Sequence, residues 1–93
     1  MNTIQIKRNE INELIENAAM KFRWKAIPTK GKMLSFMQSN ERINIWIKKN
    51  LKVTIRIQPM ETIKKDINLI ELKQELKNVN TLILSQEFDD EGH

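Results

Sequence analysis

A strict alternation of apolar and polar residues between Arg42 and Gln58 is the feature that most limits how this chain can fold. The apolar residues occupy the odd positions: Ile43, Ile45, Ile47, Leu51, Val53, Ile55 and Ile57. Side chains of a β-strand point alternately to its two faces, so a period of two is typical of strands with one buried face. The alternation therefore predicts two antiparallel strands, joined by the polar residues in the middle of the segment.

The polar run 48–50 sets the register of this predicted hairpin. A three-residue loop, with Asn50 in the left-handed conformation, keeps every odd-numbered residue on one face, whereas a two-residue loop would mix the faces. The resulting pairs are Ile47 with Leu51, Ile45 with Val53, and Ile43 with Ile55. On the opposite face, the same register places Arg42 directly across from Arg56.

The segment before the hairpin continues the sheet. Residues 22–26 and 32–38 also alternate, and Pro28 separates them because proline has no amide for the ladder. A two-residue turn at 39–40 would set Phe36 opposite Ile43 and Leu34 opposite Ile45. Together these strands predict a three- to four-stranded antiparallel meander with one apolar and one basic face.

A first helix is predicted over residues 10–20, where apolar side chains recur at helical spacing. Asn9 precedes this stripe and is expected to act as its N-cap. Residues 3–7 alternate through two isoleucines and are interpreted as a short strand or an arm packed on the sheet.

A second helix is predicted over residues 69–78, after Asn68 and Glu71, which have the spacing of a capping box. An earlier start near Met60 stays open, and residues 81–84 are interpreted as a short final strand. Because each helix needs an apolar surface, both are expected on the apolar face of the sheet. The predicted fold class is α+β: a helix, the meander sheet and a C-terminal helix.

The 93 residues are expected to form one domain over residues 1–86, followed by an acidic, flexible tail at 87–93. The chain has no cysteine, which excludes a disulfide framework and a thiolate nucleophile. His93 is the only histidine, and no serine lies in a nucleophile motif, so we predict a protein that is not an enzyme and holds no cofactor or metal. No apolar run is long enough to span a bilayer, and we expect an intracellular protein without membrane contact.

The net charge of +4 hides a strong segregation of charge along the chain. Between Lys21 and Lys65 there are twelve Lys and Arg residues against two Glu, and from Glu87 onward there are four acidic residues and no Lys or Arg. A basic segment of this kind favours polyanionic partners.

The outward face of the predicted sheet is the candidate binding site. Its predicted centre comprises Arg42, Trp46, Lys52 and Arg56, and its rim comprises Arg23, Lys25, Lys48 and Lys49. Cations around an aromatic ring are typical of sites that bind nucleic acid, since bases stack on the ring and phosphates pair with the cations. We therefore expect the partner to be nucleic acid or a nucleoprotein.

Two other interpretations stay open. The polar outer face of an antiparallel sheet needs no partner at all. Alternatively, the chain caps an acidic surface of a host protein, or pairs with itself through a sheet edge as a homodimer, without direct contact to nucleic acid. The second tryptophan, Trp24, alternates with Phe22 on the other face and is predicted to lie in the core.

The residues Lys21-Phe22-Arg23-Trp24, Gly31-Lys32, Phe36 and Arg42-Ile43-Asn44-Ile45 form a pattern that resembles a class of short phage and prophage proteins. In that class a helix precedes a K-F/Y-R/K-W strand, a G-K turn and an R-I-N-V/I strand, and a leucine-rich helix closes the chain. The resemblance covers about residues 9–80. It implies a mobile-element origin and a small anti-defence inhibitor, similar to anti-CRISPR proteins, in the cytoplasm of a bacterial host. It assigns no functional residues, and an acidic tail is not a feature of the class.

Overall fold

The computed structural model describes the backbone of residues 2–91 and the side chains of residues 2–86. In chain order the elements are α1 (Thr3–Phe22), β1 (Lys25–Ile27), β2 (Leu34–Gln38), β3 (Glu41–Ile47), β4 (Val53–Gln58), β5 (Thr62–Ile67) and α2 (Leu69–Glu91). The strands form one antiparallel meander, ordered β1-β2-β3-β4-β5. The predicted α+β class is confirmed, with five strands instead of three or four. No helix within the described range is long and apolar enough to cross a membrane.

Helix α1 begins at Thr3, earlier than predicted. Asn2 is its N-cap, and the Asn2 side-chain oxygen accepts a hydrogen bond of 2.7 Å from the backbone N–H of Gln5. The prediction of a strand or arm over residues 3–7, with Asn9 as the cap, was wrong. The two isoleucines at the start of α1 are exposed, so no sheet face packs against them, and Gln5 Nε2 instead donates to Asn9 Oδ1 at 3.0 Å within the helix.

The end of α1 fixes where the sheet begins. Arg23 adopts the left-handed conformation, with φ 60°, and the N–H groups of Arg23 and Trp24 bond back to the carbonyls of Met20 and Ala19. This is the Schellman arrangement, which satisfies the last helical carbonyls. The first strand therefore starts at Lys25, and the prediction that it starts at residue 22 was wrong, because Phe22 is the last residue of α1.

Trp24 lies in the core, as predicted. Its ring packs between those of Phe22 and Phe36, with centroid separations of 5.7 and 5.9 Å. Its Nε1–H donates to Gln38 Oε1 at 2.9 Å, and Gln38 Nε2 in turn donates to Asn80 Oδ1 at 2.6 Å. One glutamine side chain thus joins the end of α1, the sheet and α2.

The register of β2 against β3 confirms the prediction, whereas that of β3 against β4 does not. Across β2 and β3, Phe36 lies opposite Ile43 and Leu34 opposite Ile45. Across β3 and β4, the pairs are Ile47 with Val53, Ile45 with Ile55 and Ile43 with Ile57. This register is shifted by two residues from the predicted one. A shift of two leaves every side chain on its own face, so alternation alone cannot distinguish the two registers.

The loop between β3 and β4 explains the shift. It spans residues 48–52 and is closed by a hydrogen bond of 2.9 Å from the Lys48 N–H to the Lys52 carbonyl. Leu51, with φ 67°, takes the left-handed position that was predicted for Asn50. Asn50 acts through its side chain instead, since its Oδ1 accepts the Lys52 N–H at 3.1 Å. Leu51 packs against the core, so the loop carries an apolar anchor.

The fifth strand was not predicted. In β5 the alternation is broken at Lys64, Lys65 and Asp66, and the register shifts at a bulge between its pairings with Val53 and Ile55. An extra residue at a bulge puts neighbouring side chains out of the period-two pattern. The segment after the hairpin is therefore strand, and not the start of a helix near Met60.

Helix α2 begins at Leu69, as predicted. Asn68 Nδ2 donates to Glu71 Oε1 at 3.2 Å, and the Glu71 N–H donates to the Asn68 carbonyl, so the two residues interact without the side-chain to backbone bonds of the predicted capping box. It continues well past the predicted end, so the predicted strand over residues 81–84 was wrong. Val79 and Ile83 extend the buried helical stripe through that region. The helical backbone reaches Glu91, while the side chains of the predicted acidic tail, 87–93, lie outside the described residues.

Both helices pack on the same face of the sheet. Their buried residues are Ile11, Ile15 and Ala19 in α1, and Leu72, Leu76, Val79 and Ile83 in α2. These side chains form one core with the odd-numbered isoleucines of β3 and β4. No described helix covers the opposite face of the sheet.

Candidate nucleic-acid interface

The side of the sheet away from the helices presents the residues that alternate with the core, and we name it the outward face. Its members in β1 to β4 are Lys25, Ile27, Ser35, Met37, Arg42, Asn44, Trp46, Thr54, Arg56 and Gln58. Three of these are basic and none is acidic. In β5, Ile63 pairs with Arg56 and extends the outward face.

Strand β3 is the middle of the five strands and carries Arg42, Asn44 and Trp46 in a row. Because a strand rises roughly 3.4 Å per residue, Arg42 and Trp46 are roughly 14 Å apart along the strand. Trp46 is half-buried, so part of its ring is held by neighbours and part is open. Its cross-strand neighbour is Thr54, and not Lys52 as the predicted register required.

Arg42 and Arg56 do not face each other, so the predicted arginine pair was wrong. Arg42 pairs with Gln58, and Arg56 pairs with Asn44. The two arginines are therefore diagonal neighbours on adjacent strands, with a separation of roughly 7–8 Å. They remain close enough for both guanidinium groups to reach one extended polyanion.

The floor of the outward face is a pair of small, buried polar side chains. Ser35 is 2% and Asn44 7% exposed, and the Ser35 hydroxyl donates to Asn44 Oδ1 at 2.6 Å. Buried polar groups are stable only when hydrogen-bonded, and this pair meets that condition. Longer side chains such as Met37 and Trp46 stand around the pair, so the face is a shallow platform with a polar centre.

The lysines of the 48–52 loop lie outside the strands that carry the outward face. Lys48 Nζ lies 2.9 Å from Asp66 Oδ1, and this hydrogen bond and positive charge lower the pKa of Asp66. Lys49 is exposed in the loop. Lys52 lines a cavity of about 220 Å³ together with Leu69 at the start of α2. The predicted central role of Lys52 is therefore not supported by its position.

Of the predicted rim residues Lys25 and Arg23, only Lys25 lies on the outward face. Lys25 lies on the outward face, in the edge strand β1 and opposite Met37. Arg23 is not in a strand at all, because it caps α1. Of the eight predicted site residues, the structure brings together Arg42, Trp46, Arg56 and Lys25.

The predicted site missed the apolar part of the outward face. Ile27 and Met37 are half-buried there, and Ile63 is 49% exposed. The position of Met37 could have been inferred, since it alternates with Phe36 in the correctly predicted β2. Ile63 could not, because its strand was not recognised.

The cations of the outward face have no carboxylate partner among the described side chains. Within residues 2–86, the ion pairs closer than 4.0 Å are Lys48 with Asp66 and Lys64 with Glu75. In the same part of the chain, no group of three or more His, Asp or Glu side chains could hold a metal ion. Comparison with protein-family models, with curated proteins and with solved structures finds no match for this chain.

Proposed function

We propose that this chain is a non-catalytic protein whose outward face binds nucleic acid, either alone or within a nucleoprotein. What supports this function is a sheet face on which Trp46 lies on the middle strand with Arg56 diagonal to it, while Arg42 and Lys25 lie further along the same face and none of the face residues of β1 to β4 is acidic. Phosphates pair with such cations, and bases stack on an aromatic ring.

The shape of the face favours a single strand over a duplex. A sheet with its helices on the other side offers a flat platform, and single-stranded bases can be unstacked and laid on it. The row from Arg42 to Trp46 is long enough, at roughly 14 Å, for a short run of nucleotides. A duplex would present mainly its phosphates and would leave Trp46 without a stacking partner.

Fluorescence anisotropy with labelled single- and double-stranded DNA and RNA, at two salt concentrations, tests this function. We expect tighter binding to single strands, and a fall in affinity as salt rises. For two or three phosphate contacts, the slope of log affinity against log salt is about −1.4 to −2.1. Absence of binding to every oligonucleotide at low salt would refute the proposal.

A second candidate function is binding to an acidic protein surface, without direct contact to nucleic acid. Ile27, Met37 and Ile63 favour it, because they add apolar surface to the outward face. Apolar surface that includes Met and Trp beside Arg is typical of the cores of protein interfaces. An inhibitor of a host defence nucleoprotein, as the phage resemblance implies, would use both kinds of contact. Substitution Met37→Lys separates the two candidates: it should disrupt a protein interface and preserve or strengthen binding to an oligonucleotide.

A homodimer formed through a sheet edge is the less favoured form of a protein–protein interaction. The edge strand β1 has only three residues and is followed directly by Pro28, and the other edge strand, β5, carries a bulge and two lysines. Short, bulged and lysine-bearing edges resist the addition of another strand.

A further inference from the structure

The helix layer has an open surface of its own, on the side away from the sheet. A groove of about 610 Å³ lies between α1 and α2, and its lining includes Leu14, Ala18 and Phe22. Ile70 lines the same groove and is 95% exposed, and Met20 at the end of α1 is 79% exposed. Large apolar side chains left open beside an apolar groove mark an interaction surface.

The charges along this surface are separated. The groove is lined by Lys73 at its middle and by Lys21 and Lys77 at one end, and no acidic residue lines it. A neighbouring cavity of about 400 Å³ continues along α1 and is lined by Glu10 and Glu13, with no basic residue. The surface therefore has a positive end and a negative end.

The two helices run in the same direction, which makes the positions along them easy to compare. The start of α2, at Leu69, lies beside Glu10 and Glu13, and Lys77 lies in the groove beside Lys21. Asn17 and Lys73 both line the middle of the groove. We take the level of these two residues as the centre of the surface.

About that centre the surface is complementary to itself. Glu13 precedes Asn17 by four residues, and Lys21 follows it by four, which places each roughly 6 Å from the centre along the helix. Rotation of a second copy by half a turn about the centre brings the Glu13 carboxylate of one copy to the level of Lys21 of the other. Lys77 follows Lys73 by the same four residues and lies at that level too.

Two exposed apolar side chains also lie at equal distances from this centre. Ile6 precedes Asn17 by eleven residues and Leu84 follows Lys73 by eleven, so both lie roughly 16 Å from the centre, on opposite sides of it. Ile6 is 44% and Leu84 39% exposed. In the rotated pair, Ile6 of one copy lies at the level of Leu84 of the other, on the neighbouring helix.

We infer that the helix layer binds a second copy of this chain in an antiparallel dimer with two-fold symmetry. An acidic peptide would match the lysine end only and would leave Glu10 and Glu13 against its own charge. A rotated copy matches both ends at once, and a two-fold interface requires this kind of self-complementary patch. Such a dimer turns its two outward faces to opposite sides, so each remains open to a ligand.

Sedimentation equilibrium of the full chain at low and moderate salt tests the dimer. The wild type should show twice the monomer mass at high-micromolar concentration. Glu10→Lys with Glu13→Lys, and separately Lys21→Glu with Lys77→Glu, should each raise the dimer Kd by at least about tenfold. An equimolar mixture of the two double variants should form a heterodimer, because the charges are again complementary.

Matched controls are Glu16→Lys, on α1 but outside both cavities, and Lys30→Glu, in an exposed turn; neither should change the dimer Kd. Ile70→Asp adds an independent disruption at a side chain whose exposure leaves the fold unaffected. A wild type that is monomeric at every concentration would overturn the inference. A dimer that is indifferent to both charge reversals and to Ile70→Asp would overturn it as well. Neither outcome depends on whether the outward face binds nucleic acid.

Discussion

Arg56 lies directly across from Asn44 on the outward face and diagonally across from Arg42. The separation of two arginines on this diagonal is roughly 7–8 Å, whereas directly opposed residues are roughly 5 Å apart. The greater distance lowers the repulsion between the guanidinium groups while both still point to the same side. Asn44, the outward-face neighbour of both arginines, accepts a hydrogen bond from Ser35, and no outward-face residue of β1 to β4 is acidic.

Replacement of Arg42 and Arg56 together by Gln should weaken binding to a single-stranded oligonucleotide. Loss of two phosphate contacts should also make the salt dependence shallower, by about 1.4 in the slope of log affinity against log salt. Anisotropy titrations at several salt concentrations measure both effects. The control is Lys30→Gln with Lys32→Gln, which removes the same charge from an exposed turn. Equal losses in the two double variants would mean that only net charge matters.

Trp46 should report binding by its own fluorescence. The chain has two tryptophans, and Trp24 is buried in the core, so a stacked base can quench only Trp46. We expect quenching in the wild type and none in Trp46→Phe. Stacking is worth about 1–3 kcal/mol per base, so Trp46→Ala should reduce affinity roughly five- to 150-fold. Quenching that persists in Trp46→Phe would place the ligand elsewhere.

Gln38→Leu should destabilise the fold without touching the outward face. The substitution leaves Trp24 Nε1–H and the Asn80 side chain without their partner, and an unpaired buried polar group costs about 1–3 kcal/mol. Urea denaturation measures the free energy of unfolding. Gln58→Leu is the control, since Gln58 lies on the outward face and outside this network. Similar losses in both variants would contradict a special role for Gln38.

Asp66→Asn should make stability less dependent on acid pH. The hydrogen bond and charge of Lys48 hold the pKa of Asp66 below its usual value of 3.8. A lowered pKa in the folded state stabilises the fold above pH 3.8, and this contribution disappears as the pH falls through the lowered value. Asn tolerates the left-handed backbone at this position, φ 55°, so the substitution tests the charge alone.

The measurement for Asp66 is the difference in Tm between the wild type and Asp66→Asn across the acid range. The wild type should be the more stable at neutral pH, and the difference should narrow below pH 3.8. Glu16→Gln, at an exposed position of α1, serves as the control. A difference that stays constant from neutral to acid pH would show that the ion pair does not contribute.

Periodicity was enough to predict which side chains of β2, β3 and β4 face the helices, because side chains alternate between the two faces whatever the exact register. It was not enough to place Arg42 relative to Arg56. That relationship depends on the length of the 48–52 loop, where Leu51 and not Asn50 adopts the left-handed conformation. The left-handed conformation is unfavourable for leucine, and here packing of the Leu51 side chain against the core offsets its cost. Tertiary packing of this kind cannot be deduced from the local sequence pattern.

The candidate site was predicted in part for the same reason. Arg42, Trp46 and Arg56 share a face because they share a parity within one hairpin. Lys52 has the same parity but lies in the loop before β4. Arg23 was predicted to lie in the first strand, which begins only at Lys25. The start of α1 was predicted wrongly because residues 3–7 fit a strand period as well as a helical one. They belong to the helix, which Asn2 caps.

The order of elements also has a consequence for synthesis on the ribosome. The strands are neighbours in sequence and can pair as they emerge, but the isoleucine face of β3 and β4 is covered jointly by α1 and α2, from opposite ends of the chain. Until α2 has been translated, the part of that apolar face beneath it has no cover and is open to other nascent chains. The apolar face is therefore most open to association with other chains in the interval between synthesis of β4 and synthesis of α2.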